Sequence, residues 1–595
     1  MNSSISKLVA LNPTFLTKDG FYSPARDETE IKVEFTDAAE QKISAQISAL
    51  DDLSCFSEEF EQQVGDGEHL SVLRAQALLA FDFSNIETAL EISHDHGNIC
   101  RFLAEKTVST DSLKNNKSVA RATSYRCSEL SNVGILCADF ATVELPNNYY
   151  DLIVLSDIET LVASSNQIQD LIARLSDSLN DKGILLFNVQ NPQPVSAWFN
   201  QDQDLPYGGL YGTLTNRLLP QQWLDMLGKE GLSNSQEYCV LPNTKQPRTI
   251  LSKDYVETNV GAINHFYGAG FIGQTKVNEY LLFSELSKTR NLYELCDSYL
   301  IIAGKDTAKL SEFYNSDFSH FSSPGRRREW RTLTNKRVGE STVTKELLFK
   351  DISFNDSAAN GVLIKQNLAK QEYQTGQSLA GLWLQCLVKE SSTNDQAEQH
   401  TNKKSTEKFA QYLKEYHAWL SNNHAELNNA LYDILPFNQI VNTEGEYQLI
   451  DAEWEVEANI SPEFVLFRAL FWFGFHNRHL LKKFATEHGL FSLQDFVVFG
   501  LKLNGYDSDI KAFIQLETTI QSGIERQFNR DAIDETMRLP IAENTDYEAV
   551  VLYPKTQVFF YNQKDGFDFE NSLTVTSTKL AKPERLSFPV SNLNT

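Results

Sequence analysis

The sequence predicts a Rossmann-like α/β domain, then an α+β domain, then a small C-terminal β element. Three observations predict this. Strand and helix patterns alternate from about 85 to 195, a hairpin pattern at 433–451 sits among helical stretches, and the β-type run Thr556-Gln557-Val558-Phe559-Phe560-Tyr561 lies near the end. Alternation of this kind builds a parallel sheet with helices on its faces.

In the first domain, Ala89-Leu90-Glu91-Ile92 reads as an apolar strand running into a turn that ends at Gly97. A helix is predicted over Asn98–Lys106, and the second strand is read as ending in Asp111. Another helix follows, and the third strand ends at Ala138-Asp139-Phe140. Further strands are Tyr150–Leu155, Gly183–Val189 and Ser298–Ala303. An amphipathic helix at 166–180 carries Ile168, Leu171, Ile172 and Leu175 on one face. In this layout a ligand lies over the carboxyl ends of the strands, and a carboxylate ending the second strand can accept ribose hydroxyls. The turn Ser93-His94-Asp95-His96-Gly97 keeps a single glycine.

A chain of 595 residues is too long for one core, so several domains are expected. The reading is 1–84 as an N-terminal extension, 85–304 as the α/β domain, 305–327 as a linker, 328–535 as the α+β domain and 536–595 as a β-rich tail. Residues 389–408 (KESSTNDQAEQHTNKKSTEK) are poor in apolar side chains and predict a mobile insertion. A net charge of −26 argues against a protein that grips nucleic acid through phosphates. The basic run Gly325-Arg326-Arg327-Arg328 reads as a solvated linker edge. Seven scattered cysteines without a CxxC pair suggest neither a zinc site nor a disulfide framework, and a reducing cytoplasm fits. No basic segment followed by an apolar stretch opens the chain, so no secretion signal is expected. The apolar run Phe464–Phe475 is interrupted by Arg468 and is too short to span a bilayer. Its ring spacing predicts a buried helix instead.

The second domain carries DILPFNQIVNTEGEYQLIDAEW at 433–454. Asn438 follows Asp433 by five positions, and Asp451 follows Asn438 by thirteen. Strands Gln439–Val441 and Tyr447–Ile450 flank a turn at Glu444-Gly445. Hard oxygen ligands facing each other across a hairpin suit magnesium. This spacing resembles the catalytic and metal loops of protein-kinase-like phosphotransferases. The resemblance implies that Asp433 orients or deprotonates an acceptor hydroxyl, while Asn438 and Asp451 hold magnesium on ATP phosphates. Lys345, in Thr342-Val343-Thr344-Lys345, would pair the phosphates, and Glu372-Tyr373 would lie near the hinge before a helix at 377–388. The chain departs from that pattern in several places. Gly339 stands alone instead of a glycine-rich loop, Ala452-Glu453 follows the metal aspartate, and no His precedes Asp433. Between Lys345 and Val362-Leu363-Ile364 there is hardly room for the helix that supplies the lysine's glutamate partner.

In the first domain, five segments are Arg126–Val133, Ala138-Asp139-Phe140, Tyr150–Ile153, Val189-Gln190-Asn191 and Leu210-Tyr211-Gly212-Thr213. Their order and spacing over 85–304 resemble class I S-adenosylmethionine-dependent methyltransferases, within them those of bacterial O-antigen and surface-polysaccharide assembly. The resemblance implies Glu91 facing the methionine amino group, with Ser93 beside it in the turn, and Gly97 letting the backbone approach the cofactor. It also implies Asp111 on the ribose hydroxyls, Asp139 on the adenine amino group and Phe140 against the base. Ser156, Asp157 and Glu159 would line the acceptor side, with Asp157 or Glu159 as a base for a hydroxyl acceptor. His94 and His96 stand where a bulky side chain can fill the cofactor's space. His94-Asp95-His96 alone does not make a metal site.

Together the two resemblances point to bifunctional methyltransferase–kinases that terminate O-antigen chains. S-adenosylmethionine and Mg-ATP would be the cofactors. A saccharide or lipid-linked glycan would be the acceptor, glycosyltransferases the partners, and the cytoplasm, peripheral to the inner membrane, the location. Two alternatives remain open. One is a scaffold of two degenerate folds that recruits glycosyltransferases. The other is a methyltransferase for a small molecule or protein, regulated by the C-terminal half.

Overall fold

The structure is a computed structural model. It describes residues 6–24, 37–64, 70–161, 165–194, 218–266, 279–350, 357–388, 398–541 and the strands 547–552 and 557–562, less residues 13, 18, 193, 360, 508, 527 and 530. The chain forms two compact units. The first comprises 1–258, 290–321 and 335–339, and the second 259–289, 322–334 and 340–595. Segment 259–289, read from sequence as part of the α/β domain, groups with the second unit.

The first unit is built on a mixed sheet. Its strands are β1 (Thr14–Leu16), β2 (Tyr22–Pro24), β3 (Thr88–Ile92), β4 (Ser109–Lys114), β5 (Val133–Cys137), β6 (Tyr150–Leu155), β7 (Leu179–Gln190), β8 (Asn234–Leu241), β9 (Thr249–Ser252), β10 (Ser298–Gly304) and β11 (Ser316–Phe321). Their spatial order is β1-β2-β5-β4-β3-β6-β7-β10-β8-β9-β11. Strands β5, β4, β3, β6 and β7 run parallel, and β10 inserts antiparallel between β7 and β8. This is the Rossmann-like sheet that the strand and helix alternation predicts. Leu152–Leu155 and Ile184–Phe187 are buried throughout, which is why these parallel strands read as continuous apolar runs. The chain reverses its winding between β3 and β6, and a crevice at the carboxyl ends is expected there. Helix Ser165–Ser178 buries Ile168, Leu171, Ile172 and Leu175, as its period requires.

Two expectations for β4 and its neighbours are corrected by the register. β4 runs on through Ser112-Leu113 to Lys114, which pairs with Cys137 of β5, so Asp111 lies three residues before the strand's end. At about 3.3 Å per residue, that sets Asp111 about 10 Å from the carboxyl edge. β5 ends at Cys137, ahead of Asp139 and Phe140.

The second unit is α+β. Strands Ser357–Ala359, Val362–Gln366 and Trp454–Glu457 form one antiparallel sheet, and Gln377–Ser378, Gln439–Val441 and Tyr447–Leu449 another. Helices Leu379–Val388, Glu398–Leu427, Pro462–Asn477, Leu493–Leu503 and Lys511–Ile524 supply the larger core. On Pro462–Asn477 the rings of Phe464, Phe467, Phe471 and Phe473 are buried, as their spacing predicts. Of the expected insertion at 389–408, residues 389–397 lie outside the described residues, and a 30-residue helix begins at Glu398. Glu, Gln and Lys are good helix formers, so a polar run of them extends a helix without apolar side chains. In the tail, Tyr547–Leu552 pairs antiparallel with Gln557–Asn562.

No described helix is long and apolar enough to cross a membrane. All seven cysteines are buried thiols, and burial pushes the Cys137 thiol up to about 12. We expect none to react with an aromatic disulfide reagent in the native protein, and all seven to react after denaturation. Fast native labelling of any thiol would contradict this burial.

Candidate functional sites

In the first unit the site lies at the carboxyl ends of β3, β4 and β6. Glu91 of β3 is wholly buried and sits beside Ser112 of β4 in the register. It accepts hydrogen bonds from Ser112 Oγ at 2.6 Å, from Lys114 Nζ at 2.7 Å and from Ser93 Oγ. Lys114 is also wholly buried, and donates further to Ser93 Oγ at 3.0 Å and to the Asp95 carbonyl at 3.0 Å. Burial raises the Glu91 carboxyl above its ordinary range, against the opposing pull of Lys114.

The turn above this pair is packed with side chains. His94, Asp95 and His96 are all buried. Asp95 Oδ1 accepts from Gly97 N at 2.9 Å and Ile99 N at 3.0 Å, which satisfies the start of the helix Asn98–Lys106. Gly97 has φ 101°, and a Cβ there would lie 2.9 Å from Thr123 Cα, so glycine is required by both conformation and space. Arg74, from the 3₁₀ helix Val72–Ala80, pairs with both carboxylate oxygens of Asp157 and approaches Asp95 at 3.8 Å. The cavity beside it, lined by Arg74, Ile99, Val154, Ser156, Asn188 and Leu300 among others, holds about 20 Å³. That is room for about one water.

The other predicted residues lie around this centre. Asp111 is buried and accepts from the Tyr150 hydroxyl at 2.7 Å, and burial pushes its carboxyl up. The carboxyl end of its strand is occupied by Lys114, a cation where the reading placed a carboxylate. Asp139 is exposed and accepts from Ala141 N at 2.9 Å, while Phe140 is buried. Ser156 Oγ accepts from Asn188 at 2.8 Å. Asn191 donates to the carbonyls of Glu294 and Cys296 and to the Tyr299 hydroxyl. Glu159 belongs to helix Ile158–Leu161, and its side chain lies outside the described residues, as does Leu210–Thr213. Sequence reasoning missed Lys114 and Arg74. Their signal was a cation inside an otherwise buried strand and inside the apolar run Val72–Ala80.

In the second unit four predicted residues converge. Lys345, on strand Thr342–Leu347, forms an ion pair with Asp451 and another, at 3.0 Å, with Glu453. Asp433 ends the short helix Asn428–Asp433. Its Oδ2 accepts from Glu453 N at 2.7 Å and from Trp454 N at 3.2 Å. Asn438 Nδ2 donates to the Asp433 carbonyl at 2.9 Å and to its Oδ1 at 3.3 Å, which leaves the amide oxygen as the end available to another group. Asp451 has φ 54°, and its side chain is about half exposed. Burial, reinforced by nearby Asp451, raises the Asp433 carboxyl to about 7.

A cavity of about 220 Å³ opens over these groups, lined by Asp433, Asn438, Asp451, Glu453, Arg326 and Arg468 with further residues. Arg468 is tied down by Glu517 at 2.7 Å and by the ring of Tyr432, its guanidinium carbon 3.4 Å from the centroid. Glu372 pairs with Thr342 across two strands, and Tyr373 N donates to the Ser341 carbonyl at 2.7 Å. Among the described residues no group of three His, Cys, Asp or Glu side chains could hold a metal by itself. Asp451 and Asn438 provide two hard oxygens, which suits magnesium completed by phosphate and water.

No family model matches the chain, and no curated protein does. Solved structures do match. One is a SAM-dependent methyltransferase from Archaeoglobus fulgidus, at 15% identity and TM-score 0.27, over 41% of this chain and 96% of that one. A second is the N-methyltransferase NodS from Bradyrhizobium japonicum in complex with S-adenosylhomocysteine, at 18% identity and TM-score 0.20, over 26% and 75%. A third is phosphoethanolamine N-methyltransferase 2 from Haemonchus contortus, at 15% identity and TM-score 0.25, over 41% and 53%. These structure neighbours of the chain are S-adenosylmethionine-dependent methyltransferases.

Proposed function

We propose that the chain is a transferase whose working centre is the second unit. There it would move a phosphoryl group from a magnesium-bound nucleoside triphosphate to a hydroxyl of a saccharide or lipid-linked glycan. The observation that supports this is the meeting of Asp433, Asn438 and Asp451 around one cavity, with Lys345 paired to Asp451 beside it. Phosphoryl transfer asks the protein for position and charge rather than covalent chemistry. Lys345 would neutralise phosphate oxygens, and Asp451 with Asn438 would hold the metal, which when bound supplies charge neutralisation on the phosphates. Asp433, with its carboxyl near neutrality, suits the task of taking the acceptor's proton. The glycan acceptor and the surface-polysaccharide setting are carried over from the sequence resemblance.

The test is calorimetric titration and thermal melting of the full chain with Mg-ATP. Saturation at about 100 times Kd stabilises by about 2.7 kcal/mol. We expect this shift in the wild type and its loss in Asp451→Ala. A wild type that melts identically with and without Mg-ATP would defeat the proposal.

A second reading is methyl transfer from S-adenosylmethionine at the first unit. It is favoured by the parallel sheet whose winding reverses beside Glu91 and Gly97. This reading requires Lys114 and Arg74 to leave the positions they hold. Titration with S-adenosylmethionine separates the cases: binding supports methyl transfer, and no binding leaves the first unit as a filled fold. If neither ligand binds, the scaffold that recruits glycosyltransferases is the reading left standing.

A further inference from the structure

We infer that Glu453 is the positioning partner of Lys345, supplied by the loop that carries the metal aspartate instead of by a separate helix. This rests on the phosphoryl-transfer reading of the same site. A phosphate-pairing lysine needs a carboxylate that holds its ammonium in place. Among the described residues no helix lies between Lys345 and Val362, and the buried carboxylate that meets Lys345 is that of Glu453.

The geometry at Glu453 meets that need. Its Oε2 lies 3.0 Å from Lys345 Nζ, and its Oε1 accepts from Arg326 Nη1 at 2.7 Å and from Gln366 Nε2. Its side chain is only 3% exposed, whereas that of Asp451 is 47% exposed. A buried carboxylate held by a guanidinium keeps one orientation, so it can orient the flexible lysine stem. Asp451 is the looser of the lysine's two partners. Once Asp451 faces a cation, Glu453 is the carboxylate left to hold Lys345. The backbone adds a second link, because Glu453 N donates to Asp433 Oδ2 at 2.7 Å. One short stretch, Asp451–Glu453, thereby sets the metal ligand, the lysine and the candidate base together. Arg326, read from sequence as a solvated edge, is the anchor of this arrangement.

The experiment is a double-substitution cycle on the full chain, with Mg-ATP affinity read by calorimetry. Glu453→Gln is expected to weaken Mg-ATP by about tenfold, and to have almost no effect in a Lys345→Ala background, because interacting residues are not additive. Glu453→Asp keeps the charge on a shorter stem. It is expected to lose only part of the affinity, again only when Lys345 is present, and it carries the test if Glu453→Gln does not fold. Equal losses with and without Lys345 would overturn the inference. So would unchanged affinity in Glu453→Gln. A wild type that does not bind Mg-ATP is a different outcome: it defeats the phosphoryl-transfer reading, and the inference with it.

Discussion

Replacing Lys114 by methionine should lower the stability of the chain by about 3–5 kcal/mol, the usual cost of removing one partner of a buried ion pair. Both side chains of the pair are fully buried, so a charged Glu91 would be left with no ammonium and no water to solvate it. Ser112 and Ser93 would still donate to it, but neutral donors offset only part of a buried charge. The pH dependence has a definite sign. A carboxyl raised in the fold stabilises below its unfolded pKa of about 4.3, and that contribution is lost as pH rises through the folded value. The Glu91 carboxyl is already raised by burial, and without the ammonium it rises further. The penalty in Lys114→Met should therefore be largest at neutral pH and shrink on acidification. The double variant Glu91→Gln with Lys114→Met should regain most of the loss, because a buried pair is worth little against neutral groups of similar size. Chemical denaturation followed by circular dichroism measures all three. A Lys114→Met protein with wild-type stability at pH 7.5 would show that the pair is solvated.

Asp433→Asn should lower turnover of Mg-ATP by about 10²–10⁴-fold, the usual contribution of a positioned acid or base. Asparagine keeps the shape of the side chain and one oxygen for the backbone donors of Glu453 and Trp454. It cannot take a proton. Asn438 and Asp451 are untouched by the change, so Mg-ATP affinity should stay within a few-fold of wild type. Phosphate release in steady state, with affinity measured separately, distinguishes the two effects. Loss of binding together with turnover would assign Asp433 to nucleotide binding. Unchanged turnover would remove it from the chemistry.

How far these sites were legible follows from how local their signals are. The strands of the first unit were readable because β6 and β7 are buried on both faces and leave unbroken apolar runs such as Leu152–Leu155. Lys345, Asp433, Asn438 and Asp451 were readable because three of them sit at short fixed spacings around one hairpin. The end of β4 was misplaced because Asp111 looks like a terminating polar residue. Only the pairing of Lys114 with Cys137 reveals that the strand continues. Arg74 lies 83 positions from Asp157, and no local pattern announces such a contact. The same holds for Arg326 and Glu453, 127 positions apart.

The second unit is threaded from three separate stretches of chain. Within it, Asn264 Nδ2 donates to the Gly376 carbonyl at 2.5 Å, His265 bonds the Gln374 carbonyl at 2.8 Å, and Asn259 bonds the Tyr373 hydroxyl at 2.7 Å. Tyr280 lies against Gly381 so closely that a Cβ there would fall 2.4 Å from its hydroxyl oxygen. A fragment cut at 327 would lack every one of these partners. The second unit is therefore not a detachable module, and its completion during synthesis waits for residues made more than a hundred positions later than the first of its pieces. Dissection of the two units calls for point substitutions in the intact chain, not for halves expressed apart.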